Sequence, residues 1–230
     1  MSEALIAQNP VEIVNVIGAD AKEAAAFLRT VSTDKINTVL GDLASAIRES
    51  APDILLANNK DVAKAKELGL TDAMVDRLVL NDDRIECIAA RVENVQKLDD
   101  PSGRVLWEQN RPNGLKIQRV VCPIGVLGMI YESRPNVTVD ASILCLKSHN
   151  AVILRGGSES LHSSLALHKI IQETLEKNDF PKACVSMIPI SDRAAVGAML
   201  GASEFIDVMI PRGGKGLIER VMSEARMPVL

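Results

Sequence analysis

The chain has 230 residues, of which 47% are apolar and 24% are charged, and its formal net charge is −4. This length suits one large or two small domains, and the apolar content is ample for a buried core. Because the charges are mixed in sign and the chain has only one Trp, one Tyr and three Phe, little is available for stacking on bases, which argues against nucleic-acid binding.

The first ten residues, MSEALIAQNP, lack a basic region followed by an apolar stretch. No apolar run in the chain approaches the roughly 18–20 residues that span a bilayer. We therefore expect a cytoplasmic protein with no membrane partner.

The first part of the chain, from Asn9 to about Leu98, is predicted to be helical. One segment has apolar residues at the i, i+3, i+4, i+7 spacing of a buried stripe, namely Ile36, Val39, Leu40, Leu43, Ala44 and Ile47. Asn81 is a candidate cap for a later helix, with two acidic residues in its first turn. Elsewhere in this part, acidic residues alternate with Lys and Arg as on a solvated face, so no catalytic spacing is present.

An irregular stretch, 101–119, follows the helices. Asn113 and Gly114 separate two partly alternating runs, which predicts a β-hairpin. The residues alone are compatible with a plain surface hairpin.

A β-α-β unit is predicted in the middle of the chain. The run 120–131 is dense in Val, Ile and Leu, as in a strand buried on both faces of a parallel sheet. Helical spacing follows from Pro135 to about residue 150, and residues 151–154 form a second buried strand. The predicted fold is α/β, with N-terminal helices and a doubly wound, Rossmann-like parallel sheet.

The second strand ends in a glycine turn at 155–157, and Ser158 is predicted to cap the next helix. The free N–H groups and positive dipole end of a helix's first turn can bind phosphate. The usual G-x-G-x-x-G fingerprint is absent, so an ordinary strand-to-helix turn is an equal alternative. Gly125 and Gly128 are interpreted as relieving packing inside the first strand.

Beyond this unit we predict a helix over 161–177, a strand over 184–190, and a helix capped by Ser191 and Asp192. A further strand over 206–210 leads into a second glycine turn, PRGGKG, which opens a helix. Two such turns at the carboxyl ends of parallel strands predict a ligand crevice. Residues 227–230 resemble the start of another strand.

The four cysteines are scattered and form no C-x-x-C pair; they are Cys87, Cys122, Cys145 and Cys184. We interpret them as small buried apolar residues. Cys145 and His149 could share a helix face, but no carboxylate has matching spacing, so no metal site is predicted.

Three long motifs resemble gamma-glutamyl phosphate reductase, also called glutamate-5-semialdehyde dehydrogenase, of the aldehyde dehydrogenase superfamily. They are PIGVLGMIYESRPNVTVD from Pro123, NAVILRGGSE from Asn150 and IPRGGKG from Ile210. The match extends over essentially the whole chain, including 58–62 and 69–74. Family members are roughly twice as long, so the resemblance implies an N-terminal portion that stops before the catalytic domain.

The resemblance implies a domain plan and an activity. The plan is a helical segment at 1–100, a hairpin of the oligomerisation type at 101–119, and an incomplete, Rossmann-like NADP-binding domain at 120–230. The implied activity is the NADPH-dependent reduction of L-glutamate 5-phosphate to L-glutamate 5-semialdehyde in proline biosynthesis. In this family a cysteine forms a thioester that hydride then reduces, and no cysteine here matches it, so the chain alone is expected to be inactive.

Two other hypotheses remain open. One is a catalytically inactive, truncated paralogue that binds nucleotide or a full-length partner. The other is a different member of the superfamily, which the run YESRPNVTVD at 131–140 argues against. For the complete protein the resemblance also implies a homo-oligomer and allows association with glutamate 5-kinase.

The resemblance assigns roles to individual residues. Asn136 corresponds to the side-chain amide that stabilises an oxyanion, although a plain helix-start residue is an alternative. The positions that match the adenosine ribose and 2′-phosphate of the cofactor are Arg155, Gly156, Gly157 and Glu159. Those that match the pyrophosphate turn are Arg212, Gly213 and Gly214.

Overall fold

The computed structural model describes residues 9–230. The expectation that no leader is present depends on the first ten residues, of which 1–8 lie outside the described residues. Within the described part, none of the helices combines the length and the apolar character needed to cross a membrane.

Five helices open the described chain: α1 Pro10–Leu28, α2 Thr33–Glu49, α3 Ala51–Glu67, α4 Asp72–Leu78 and α5 Asp82–Gln96. Side chains cap three of them, since Asn9, Ser32 and Asn81 each accept a hydrogen bond from a first-turn N–H group. The apolar stripe predicted for α2 is buried in full.

A two-stranded antiparallel hairpin follows, made of β1 Val105–Asn110 and β2 Lys116–Val120. At its turn Gly114 has a φ of 84°, which suits glycine. The Asn113 side chain accepts a hydrogen bond from the Leu115 N–H at 3.1 Å. Every residue of β1 is exposed, so the hairpin contributes little to the core.

The main sheet has four parallel strands in the order β5-β4-β3-β6. The strands are β3 Val126–Tyr131, β4 Ala151–Arg155, β5 Val185–Met187 and β6 Val208–Arg212. The helices between and after them are α6 Asn136–Lys147, α7 Leu161–Lys177, α8 Ala194–Gly201 and α9 Lys215–Glu224. The predicted α/β fold with a parallel sheet is confirmed, and the order places a switch point beside β3.

Several predicted strand boundaries are wrong. The run 120–131 is not one strand, because β2 ends at Val120 and β3 begins at Val126. Pro123 between them has no N–H to donate to a ladder. Likewise β5 ends at Met187 rather than near residue 190, and Pro189 follows. The last residues pair beside β6 through a single parallel bridge between Met209 and Val229.

The predicted cap at Ser158 is also wrong. Ser158 lies in the 3₁₀ turn Ser158–Ser160, and α7 begins after it. Asp61 of α3 caps α7 instead, because its carboxylate accepts hydrogen bonds from the N–H groups of His162 at 3.1 Å and Ser163 at 2.7 Å. This contact joins the helical part to the end of the sheet where the glycine turns lie.

Candidate functional site

Both predicted glycine turns lie at the carboxyl edge of the main sheet. We name them the Arg155 turn (Arg155, Gly156, Gly157 and Glu159) and the Arg212 turn (Arg212, Gly213 and Gly214). Strands β4 and β6 both neighbour β3, so that Arg155 pairs with Ile130 and Arg212 with Tyr131. The two turns therefore flank the end of β3, and residues 132–133 lie between them.

A cavity of about 640 Å³ is lined by three residues of the Arg155 turn and by residues 132–133. Arg155 is only 9% exposed. Its Nη2 donates to the Ser191 carbonyl oxygen at 3.0 Å. Its Nε is buried and has no hydrogen-bond partner among residues 9–230. Arg155 also lines the cavity, and a guanidinium in such a place is suited to an anionic ligand.

Burial lowers the pKa of Arg155, and nearby Glu159 opposes this shift while Arg193 and Arg220 add to it. All three of these neighbours also line the 640 Å³ cavity. The guanidinium is thus held in a partly desolvated place where positive charge is only partly balanced, which favours binding of a negatively charged group.

The glycines of the Arg155 turn have different surroundings. A Cβ on Gly157 would lie 2.2 Å from Glu159 Oε1, and a Cβ on Gly156 would lie 3.1 Å from the Tyr131 hydroxyl. Glu159 is held in place by Ser133, whose N–H and hydroxyl donate to Oε1 at 2.6 and 2.9 Å. A side chain on Gly157 would therefore displace the Glu159 carboxylate, and one on Gly156 would require a small shift of Tyr131.

A second cavity, of about 480 Å³, is lined by all three residues of the Arg212 turn and by Glu132. Glu132 Oε2 accepts a hydrogen bond from the Gly214 N–H at 2.7 Å. A Cβ on Gly213 would lie 2.3 Å from the same oxygen. A carboxylate thus lies at the N-terminus of α9, and a phosphate bound there has to displace it.

Asn136 lies in a neighbouring cleft of about 330 Å³. It is the first residue of α6, and its Nδ2 donates to Asp140 Oδ2 at 2.8 Å. Asp140 Oδ1 lies 3.4 Å from Arg91 Nε. Because an amide nitrogen has two hydrogens, one remains for a ligand, as an oxyanion donor requires. Arg134 lines both this cleft and the 480 Å³ cavity, so the two adjoin.

The prediction that all four cysteines are buried is wrong for Cys87 and Cys122, which are exposed. Cys145 and Cys184 are buried, and burial raises the pKa of each thiol to about 12. Cys87 lines the cleft that holds Asn136. Across residues 9–230 there is no group of three or more side chains placed to hold a metal ion.

No protein-family model matches the chain. The gamma-glutamyl phosphate reductase of Brucella suis biovar 1 (strain 1330) is 51% identical over 219 residues, which are 95% of this chain and 52% of that protein. A crystal structure of gamma-glutamyl phosphate reductase from Thermotoga maritima superposes with a TM-score of 0.92 at 42% identity, covering 94% of this chain and 52% of that one. Over almost its whole length the chain is therefore similar to gamma-glutamyl phosphate reductases.

The chain spans about half the length of the curated gamma-glutamyl phosphate reductases that it matches. An acetylating aldehyde dehydrogenase from Geobacillus thermoglucosidasius shares the fold more distantly, with a TM-score of 0.75 at 19% identity over 96% of this chain and 45% of that one. The described residues have an aldehyde dehydrogenase-like architecture.

The sequence did not point to three residues that line the 640 Å³ cavity: Glu132, Ser133 and Arg193. The first two come directly after β3, and Arg193 comes shortly after β5. Ligands in doubly wound folds bind beyond the carboxyl ends of the strands, so residues that directly follow a predicted strand could have been named as candidates. The hydrogen bonds from Ser133 to Glu159 and from Gly214 to Glu132 had no such signal.

Proposed function

We propose that the chain is the cofactor-binding portion of a reductase that converts L-glutamate 5-phosphate to L-glutamate 5-semialdehyde in proline biosynthesis. The observation that carries the proposal is the pair of glycine turns that flank the end of β3. The proposal is also supported by the 51% identity to a curated gamma-glutamyl phosphate reductase. The cofactor is NADPH, which when bound supplies the hydride.

The described residues fit a phosphorylated dinucleotide. The Arg155 turn places a guanidinium on the wall of the 640 Å³ cavity, which suits the 2′-phosphate of the adenosine ribose. The Arg212 turn lies at the start of α9, where the Gly214 N–H already donates a hydrogen bond to the Glu132 carboxylate. This turn would hold the pyrophosphate once Glu132 has moved away.

Asn136 would orient and polarise the substrate. One amide hydrogen is taken by Asp140 at 2.8 Å, which leaves the other to donate to the carbonyl oxygen of the substrate as negative charge develops. In this proposal the hydrogen bond to Asp140 fixes the orientation of the Asn136 amide group in the cleft.

The nucleophilic cysteine of the proposed reaction is outside this chain. Cys145 and Cys184 are buried thiols whose pKa is raised to about 12, so they remain protonated at neutral pH. Cys122 lies just beyond β2, with its Sγ 3.7 Å from the Val120 carbonyl oxygen. Cys87 shares the Asn136 cleft and is therefore the cysteine to test.

Calorimetric titration of the purified chain with NADPH and NADH tests the cofactor assignment. We expect NADPH to bind at least about tenfold more tightly than NADH, as one lost charge-assisted contact would give. Glu132→Gln should tighten binding of both nucleotides, because it removes a competing negative charge at the pyrophosphate site that they share. Equal affinities for NADPH and NADH would overturn the assignment.

Incubation with L-glutamate 5-semialdehyde, phosphate and NADP⁺ tests the position of the nucleophile. We expect no rise in nicotinamide absorbance above a protein-free control, because no covalent route exists without the thiolate. Turnover that is lost in Cys87→Ser would place the nucleophile in this chain. NADPH binding without turnover even after the rest of a gamma-glutamyl phosphate reductase is supplied would favour a nucleotide-binding paralogue.

A further inference from the structure

Positive charge is in excess around the 640 Å³ cavity. Four cationic side chains line it, together with two carboxylates: Lys64, Arg155, Arg193 and Arg220 against Glu132 and Glu159. Both carboxylates are already engaged, Glu132 by the Gly214 N–H and Glu159 by Ser133. Both carboxylates therefore accept hydrogen bonds from neutral donors, although Glu159 partly offsets the charge of Arg155.

Among these cations, Arg193 is coupled to Arg155. The Arg155 guanidinium donates to the carbonyl oxygen of Ser191, two residues before Arg193. Asp192 then accepts a hydrogen bond from the Ala194 N–H at 2.8 Å, which starts α8. The loop that carries Arg193 is thus fixed at both ends, one of them on Arg155.

The two guanidiniums are near enough to repel each other, and this repulsion contributes to the lowered pKa of Arg155. Arg220 is paired with Glu224 at 3.1 Å. Arg193, in contrast, has no ion pair among the described residues, and it is exposed on the cavity wall. A doubly charged anion between Arg155 and Arg193 would relieve the repulsion, whereas a neutral hydroxyl would not.

We propose that Arg193 is a specificity-determining residue, which forms with Arg155 a two-guanidinium clamp for the 2′-phosphate of the bound nucleotide. The inference rests on the proposed function, because it assumes that the adenosine of the cofactor enters this cavity. It goes further by assigning the choice of a phosphorylated ribose to a side chain from the β5–α8 loop.

The ligands adenosine 2′,5′-bisphosphate and 5′-AMP test the clamp, since they differ only in the 2′-phosphate and need no nicotinamide site. Calorimetry of the wild-type chain should show tighter binding of the bisphosphate. Arg193→Ala should weaken bisphosphate binding at least about tenfold, as loss of a charge-assisted contact does, and change 5′-AMP binding by less than about twofold. Arg193→Lys should fall between.

Arg111→Ala is the matched control, because Arg111 is an exposed arginine at the tip of the hairpin. It removes the same charge and should leave both affinities unchanged. The Arg155 partner is tested with Arg155→Lys, which preserves its charge in the buried position, after far-UV circular dichroism has shown a native spectrum. It should also reduce selectivity for the bisphosphate.

The failures are distinguishable. A wild-type chain that binds neither ligand contradicts the proposed function, and the clamp with it. If the wild-type chain prefers the bisphosphate and Arg193→Ala keeps the same preference, the clamp alone is contradicted. An equal loss for both ligands in Arg193→Ala also overturns it, because a selective phosphate contact cannot weaken 5′-AMP to the same extent.

Discussion

Asp100 joins three separate segments of the chain through one carboxylate. Its Oδ2 accepts hydrogen bonds from the Thr33 hydroxyl at the start of α2 and from His149 Nε2 at 2.8 Å. Its Oδ1 accepts one from the Ser102 N–H at 2.7 Å. His149, just before β4, has a φ of 59° and lies 3.0 Å through Nδ1 from the Leu28 carbonyl oxygen.

These contacts predict a pH dependence of stability. Burial alone would raise the pKa of Asp100, but hydrogen bonds from Thr33, His149 and Ser102 outweigh it and lower the pKa. A carboxyl group with a lowered folded pKa stabilises the fold above its unfolded pKa of about 3.9. That contribution is lost as the pH falls through the folded pKa.

Urea unfolding followed by circular dichroism between pH 3 and pH 7 measures this effect. We expect Asp100→Asn to lower the free energy of unfolding by about 1–3 kcal/mol at pH 7. The difference from wild type should shrink as the pH falls below about 3.9, because the carboxyl group of the unfolded chain is then increasingly protonated. Asp20→Asn, at an exposed position of α1, is the control, and an equal pH profile for both variants would refute the expectation.

Single residues could be assigned from the sequence only where a local pattern carried the signal. The Arg155 and Arg212 turns end apolar strands, so their place at one edge of the sheet was predictable. The Asp61 cap on α7 was not, because it joins residues about 100 positions apart. The Asp100 contacts likewise span 67 and 49 positions, and nothing local marks them.

Among the elements, β3 is the central strand on which the packing of the sheet depends. A Cβ on Gly128 would lie 2.7 Å from Met209 Cε and 3.1 Å from Ile206 Cγ2. Gly125 has a φ of 130°, and a Cβ there would lie 2.3 Å from Asp207 Oδ2. Both glycines thus allow β6 and its preceding loop to approach β3, which agrees with the packing role interpreted from the sequence.

Gly128→Ala should therefore destabilise the fold, by about 1–3 kcal/mol as overpacking does. The value should lie near the lower end, because the nearest atom is the end of a flexible methionine. Gly201→Ala is the matched control, since a Cβ there would meet nothing within 4 Å. Thermal unfolding of the two variants gives the comparison, and a Gly128→Ala protein as stable as Gly201→Ala would show that the contact is not tight.

Element type was easier to predict than element ends. Continuous apolar runs indicate strands buried on both faces, and the parallel sheet follows from them. The ends depend on which backbone groups find partners. Ile188 still donates to the Leu154 carbonyl oxygen at 2.9 Å, but Pro189 cannot continue the ladder. Periodicity alone does not contain this information.

At the scale of the whole molecule, the hairpin is notable because its apolar side chains are exposed to solvent. It carries five exposed apolar side chains: Val105, Leu106, Trp107, Leu115 and Val120. Its two strands pair only with each other in the described chain, and an isolated two-stranded hairpin is marginally stable in water. An apolar surface on such an element is typical of an interface, and we propose a second copy of this chain as its partner.

This proposal predicts reversible self-association at tens of micromolar, measured by sedimentation velocity over a concentration series. Trp107, the sole tryptophan and 49% exposed, should shift its emission to shorter wavelengths as copies associate and water leaves the indole. Leu106→Lys should weaken association at least about tenfold, because it removes a buried leucine from the contact. Leu56→Lys changes an equally exposed leucine on α3, far from the hairpin in sequence, and should leave association intact. A monomer at every concentration, or equal weakening by the two variants, would remove the hairpin as the contact and leave its apolar surface unexplained by self-association.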